Sequence, residues 1–139
     1  ILTSLVSLTI GFNCFAQSTN NKSIDVLKNE SATYIQSGYE AYKKIALNIW
    51  DYAELGYKEY KSCELLQNTL KENGFTVEAG VAGMPTAFVA TYGSGSPVIG
   101  ILAEYDALPG ISQDKSTIKT PIVNKNNGHA CGHHLFGTG

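Results

Sequence analysis

The fold of this chain turns on one stretch, Val98-Ile99-Gly100-Ile101-Leu102-Ala103-Glu104-Tyr105-Asp106-Ala107-Leu108-Pro109-Gly110. Its first six residues are continuously apolar, the pattern of a strand buried on both faces. They predict a β-strand over residues 98–103. Two carboxylates follow, with one residue between them, at the C-terminal end of that strand. In an open α/β sheet this edge is where ligands bind. Leu108-Pro109-Gly110 then turns the chain. An acid at this place can bind metal, can hold the imidazole of a ligand in one tautomer, or can stand solvated on a loop.

Upstream, Thr86 to Tyr92 and Phe75 to Ala79 read as two further strands. Gly93-Ser94-Gly95-Ser96-Pro97 has the length of a hairpin turn between the strands at 86–92 and 98–103. Before the strands the period changes to that of helices. Leu65, Leu66 and Leu70 mark a helix from Tyr60 to Asn73, with Gly74 where a left-handed cap is expected. Cys63 is read as a packed residue of that helix. Ala53 to Glu59 is a turn. Ile35, Tyr39, Tyr42, Ala46 and Ile49 recur at steps of three and four with Trp50 beside them. They predict one face of a long amphipathic helix that starts before Ser31 and ends near Tyr52. Helix, helix, strand, strand, strand and a site loop make an α/β sheet with helices packed on it.

The 139 residues suit one domain, and a net charge of -2 offers nothing to nucleic acid or to an acidic membrane surface. Three cysteines show no spacing of a disulfide framework. Residues 1–16 are apolar and uncharged, with Ala16 at a small final position before Gln17. This is the pattern of the remnant of a secretory signal peptide, and it is short for a membrane span of about 20 residues. The expectation is therefore a protein exported to a periplasm or the outside, with no membrane contact after signal removal. Residues 17–29 are expected to be a linker, and 30–139 the domain. The chain begins inside an apolar run and ends on Leu135-Phe136-Gly137-Thr138-Gly139, which reads like the start of an element. A fragment is expected on that ground. Residues 112–127 read as an exposed polar loop. No phosphate-binding glycine loop and no serine nucleophile elbow are seen.

Downstream, Gly128-His129-Ala130-Cys131-Gly132-His133-His134 holds one thiol and all three histidines of the chain. Thiolate and neutral imidazole are the preferred ligands of zinc and its neighbours. Gly132 lets the backbone turn so that Cys131 and His133 can face one point. A closed structural zinc site would need four ligands. These four side chains sit too close in sequence to close one tetrahedron.

Two motifs thus stand in order, Ala103-Glu104-Tyr105-Asp106-Ala107-Leu108-Pro109 and Gly128-His129-Ala130-Cys131-Gly132-His133. Together they resemble the family of two-metal amidohydrolases and exopeptidases that includes aminoacylase and carboxypeptidase G. The nearest branch is the p-aminobenzoyl-glutamate hydrolase-like amidohydrolases. The turn Ala53 to Glu59 is similar to that family as well. The resemblance implies the N-terminal part of a zinc-exopeptidase-like catalytic domain, α/β with a mixed central sheet and flanking helices, and a separate lid or dimerisation domain elsewhere. It implies two divalent metal ions, zinc or manganese, and a metal-activated water that hydrolyses the amide bond of N-acyl or N-aroyl amino acids or small peptides. By motif match Cys131 and His133 are metal ligands, and Asp106 is the acid of the catalytic site that supports a ligand. Glu104 stands where more distant relatives carry a ligand histidine, and its role stays open. So do those of His129, which is assigned no metal bond, and of His134. The general base lies outside this sequence, and dimers are implied through the separate domain. The alternative from another class is a non-catalytic binding protein that keeps the fold.

Overall fold

The computed structural model describes residues 23–139. The signal-peptide expectation at residues 1–16, and residues 17–22 of the expected linker, lie outside the described residues. Residues 24–29 of that linker belong to a helix. The chain divides into two units, Ile1–Tyr34 and Ile35–Gly139.

Helix α1 spans Ile24–Ser37 and buries none of its side chains. Ser23 opens it by offering its carbonyl and hydroxyl oxygens to the Val26 N–H. Helix α2 spans Tyr39–Tyr52. The single long helix that the periodicity predicts is therefore interrupted at Gly38, with φ -88° and ψ 0°. A Cβ at Gly38 would lie 2.5 Å from the Tyr42 ring, so the ring occupies space that glycine alone leaves open. Of the expected apolar face, Ala46 and Ile49 are buried, whereas Ile35 is 61% and Tyr39 53% exposed. Helix α2 stops at Ala53, which turns left-handed at φ 43° and donates its N–H to the Ile49 carbonyl.

Helix α3 spans Tyr60–Glu72. Its first N–H groups have no partner within the helix, and Glu54 supplies one. The carboxylate accepts the N–H groups of Lys61 at 3.0 Å and Ser62 at 2.9 Å, and the Ser62 hydroxyl at 2.8 Å. Cys63 and Leu66 face the core, as the sequence predicts for Cys63. Gly74 is left-handed at φ 88° and ends the helix as expected.

Strand β1, Thr76–Ala79, pairs antiparallel with β2, Phe88–Thr91, in the register Thr76↔Thr91 to Ala79↔Phe88. These are the first two expected strands. The third is not formed: residues 98–103 pair with nothing among the described residues, and Val98, Ile101 and Leu102 are 87%, 91% and 90% exposed. The hairpin therefore forms one step earlier, from 76–79 to 88–91, across a single 3-10 turn at Val81–Gly83. A strand exists through the backbone groups of its neighbour, and among the described residues none lies alongside 98–103. Strands β3, Leu108–Pro109, and β4, Asn127–Gly128, form a second short antiparallel pair. A parallel bridge joins Leu55 to Ala107. Helix α4 spans His133–Phe136.

The described chain is thus a small mixed α/β structure with two antiparallel pairs. Its buried apolar residues are Ala46, Ile49, Ala53, Cys63, Leu66 and Ala107, which puts the core between α2, α3 and the end of the acidic motif. No helix among the described residues is long and apolar enough to cross a membrane.

Candidate functional site

The acidic motif is fastened directly behind Asp106. The Ala107 N–H donates to the Glu54 carbonyl at 2.7 Å, and Ala107 is buried. Leu108 then pairs with Gly128 and Pro109 with Asn127, and the Gly110 N–H reaches the Asn126 carbonyl at 2.8 Å. This pairing carries the histidine loop back to the two acids. A Cβ on Gly128 would lie 3.2 Å from the Ile111 carbonyl oxygen, so the approach is close.

The intervening segment, read from the sequence as an exposed polar loop able to order over a site, is held by its own polar groups. Gln113 accepts the Thr120 N–H, and the Ser112 hydroxyl accepts the Ile122 N–H. Two lysines fasten it to the end of α2. Lys115 Nζ lies 2.7 Å from the Asp51 carboxylate, and Lys125 Nζ donates to the Asp51 carbonyl at 2.6 Å.

Gly132 turns left-handed at φ 82° and starts α4, which presents His133 to both acids. His133 Nδ1 lies 2.8 Å from Asp106 Oδ1 and 3.2 Å from the Asp106 carbonyl oxygen. With the carboxyl ionised both are acceptors, so Nδ1 carries the proton and donates. In the neutral ring this leaves the Nε2 lone pair free, and Nε2 lies 3.3 Å from Glu104 Oε1. Ligand atoms of Glu104, Asp106 and His133 all lie within 4.8 Å of one another. A carboxylate that orients an imidazole while its second nitrogen faces outward is the arrangement that serves a metal-binding histidine. Imidazole and carboxylate are suitable donors for zinc or manganese, so this side-chain set fits an ion.

Close packing holds the arrangement. A Cβ on Gly137, at the end of α4, would lie 2.8 Å from Tyr105 Cβ and 3.0 Å from the Glu104 carbonyl oxygen. Helix α4 therefore rests directly on the acidic motif.

The other members of the loop go elsewhere. Cys131 is an exposed free thiol and is not in the group of three. His129 is buried, and its Nε2 lies 3.0 Å from the Ile49 carbonyl oxygen. A carbonyl only accepts, so Nε2 carries the proton. Burial, followed in size by the hydrogen bond to Ile49 acting in the opposite sense, leaves His129 with a lowered pKa. His134 packs edge-on against Trp50 with ring centroids 4.8 Å apart, and its centroid is 5.2 Å from that of His129. Burial and then His129 lower the His134 pKa. Two of the three histidines thus seat the loop on α2, and the third meets the acids.

The supports of the site are not legible in the sequence. Glu54, Thr86 and Glu59 lie far from the motifs, and a buried acid has no local sequence signature. The turn from Ala53 to Glu59 is the one available signal, through its likeness to the family.

No family model matches the chain. Over 105 residues it is 44% identical to a subunit of the p-aminobenzoyl-glutamate hydrolase of Escherichia coli (strain K12), a match that covers 75% of this chain and 22% of that protein. The chain belongs to this family of amidohydrolases and peptidases. Other family members agree. Thermostable carboxypeptidase 1 of Saccharolobus solfataricus is 38% identical over 92 residues, 65% of this chain and 23% of that protein. Hippurate hydrolase of Campylobacter jejuni is 32% identical over 92 residues, 66% of this chain and 24% of that protein. The chain spans less than a quarter of the length of these relatives.

Proposed function

We propose that the complete protein is a metal-dependent amidohydrolase acting on N-acyl or N-aroyl amino acids, p-aminobenzoyl-glutamate-like compounds first, or on small peptides. The observation that carries this reading is the Asp106–His133–Glu104 contact set, in a chain whose relatives are named as hydrolases of such bonds. His133 Nε2 and the thiolate of Cys131 would hold a metal ion, with Glu104 at its edge. Two divalent ions, zinc or manganese, are the expected complement. When bound, such an ion would lower the pKa of a coordinated water to about 7 and polarise a carbonyl oxygen. Asp106 accepts a hydrogen bond from the Nδ1–H of His133 and fixes its tautomer. His129 and His134 hold the loop on α2.

The same reading places residues 30–139 in the N-terminal part of a zinc-exopeptidase-like catalytic domain, where residues 98–103 would join a mixed central sheet. It places the protein outside the cytoplasm after removal of the signal at residues 1–16, and gives it a homodimeric form. Metal content and hydrolysis of p-aminobenzoyl-glutamate, measured on the complete protein and on Cys131→Ala, test the central claim. About two metals per chain, with loss of both metal and activity in the variant, is the expected result. A wild type without metal when zinc and manganese are supplied would refute it.

A further inference from the structure

We infer that Tyr105 is a positioning residue, which sets Glu104 and Asp106 against His133 by tying the segment between them to the Thr86 carbonyl. The inference rests on the functional reading above. Three consecutive residues divide their side chains between two directions. Glu104 and Asp106 meet His133, while the Tyr105 hydroxyl donates to the Thr86 carbonyl and its ring lies 6.2 Å from that of Phe88.

The anchor is itself held. Thr86 and Glu59 are 7% and 8% exposed, and the Thr86 hydroxyl donates to Glu59 Oε2 at 2.7 Å. The Glu59 carbonyl in turn accepts the Cys63 N–H at 2.8 Å, in the first turn of α3. Hydrogen bonds made by Thr86 and Glu59 therefore link Tyr105, between the two acids, to the first turn of the helix.

The acid pair needs such an anchor on its upstream side. Downstream, the Ala107 N–H on the Glu54 carbonyl fixes the residue after Asp106. Upstream, residues 98–103 have no strand partner among the described residues. Tyr105 is the side chain that grips the motif there, and Gly137 packs against its Cβ from the side of α4. Phenylalanine would fill the same volume without the direction that the hydroxyl imposes. The hydroxyl, not the ring, is therefore the feature to remove.

The test compares wild type, Tyr105→Phe and the exposed control Tyr60→Phe in the complete protein. Nitrogen NMR of the His133 ring in the metal-free protein, assigned with His133→Gln, reads the tautomer. Wild type and control are expected to show one Nδ1–H form, and Tyr105→Phe a mixture. Metal affinity by competition with a chelator should fall about tenfold in Tyr105→Phe, the range of outer supports of a metal site. In the loaded enzyme kcat should fall by a similar factor with KM nearly unchanged. Wild-type ring signals and metal affinity in Tyr105→Phe would overturn the inference, even with a lower Tm, and leave Tyr105 a packing residue. A wild type that neither binds metal nor hydrolyses amides would remove the functional reading. The His133 ring signal would still decide whether Tyr105 positions that side chain.

Discussion

Residues 98–103 and 104–110 are neighbours in sequence and opposites in structure. The first run is the most apolar stretch of the described chain, yet it has no strand partner among the described residues, with Ile101 91% exposed. The second carries two acids and is held at Tyr105, Ala107, Leu108, Pro109 and Gly110. The difference teaches that apolar composition makes a strand possible, while a neighbouring backbone makes it real. The polar motif owes its order to partners far away in sequence: Glu54, Thr86, Asn126 to Gly128, and His133.

The strongest way to break the contrast is to remove the side chain that both acids meet. In the complete protein His133→Ala should lose hydrolysis by about 10³-fold, since metal charge stabilisation is worth several kcal/mol. Steady-state kinetics with p-aminobenzoyl-glutamate check this, and an activity within tenfold of wild type would detach His133 from the reaction. Next comes the packing. Gly137→Val forces a side chain into a space 2.8 Å from Tyr105 Cβ, and overpacking of this kind costs about 1–3 kcal/mol. Urea unfolding should show that loss, and metal uptake should weaken as α4 lifts from the acids. Unchanged unfolding and metal uptake would mean that α4 does not rest on the motif.

Asp106→Asn keeps the shape and removes the charge that faces His133 Nδ1. Metal affinity should fall by about 10–100-fold while the fold is retained. A chelator competition that finds no change would leave Asp106 without its supporting role. The smallest effect is expected in the apolar run. Ile101→Ser should change the stability of this chain by less than about 0.5 kcal/mol, as exposed substitutions do. A loss above about 2 kcal/mol would show that the run is covered in solution, and the contrast between the two neighbours would disappear.

Much of the architecture is legible in the residues. The helix over 60–73, its glycine cap, the strands near 76–79 and 88–91 and the pairing of two motifs around a site all follow from local pattern. The break at Gly38 does not follow from the apolar period, which runs through it, and the Tyr42 ring that fills the space beside Gly38 is seen only in the fold. Local pattern also places the hairpin one strand too late, since Gly93 to Pro97 and the turn at 80–87 both carry turn residues.

Sequence by itself determined the chemistry available to this protein: two acids, a thiol and three imidazoles in two short motifs, and membership of a hydrolase family. These are properties of residue type and order. Tertiary structure decided how the three imidazoles are used. His129 and His134 lie against α2, and His133 lies between Glu104 and Asp106. Spacing cannot distinguish three histidines within six residues. The roles of His129 and His133 are set by the acceptors they meet, the Ile49 carbonyl and the Asp106 carboxylate, and that of His134 by its packing on Trp50; the fold brings these partners there.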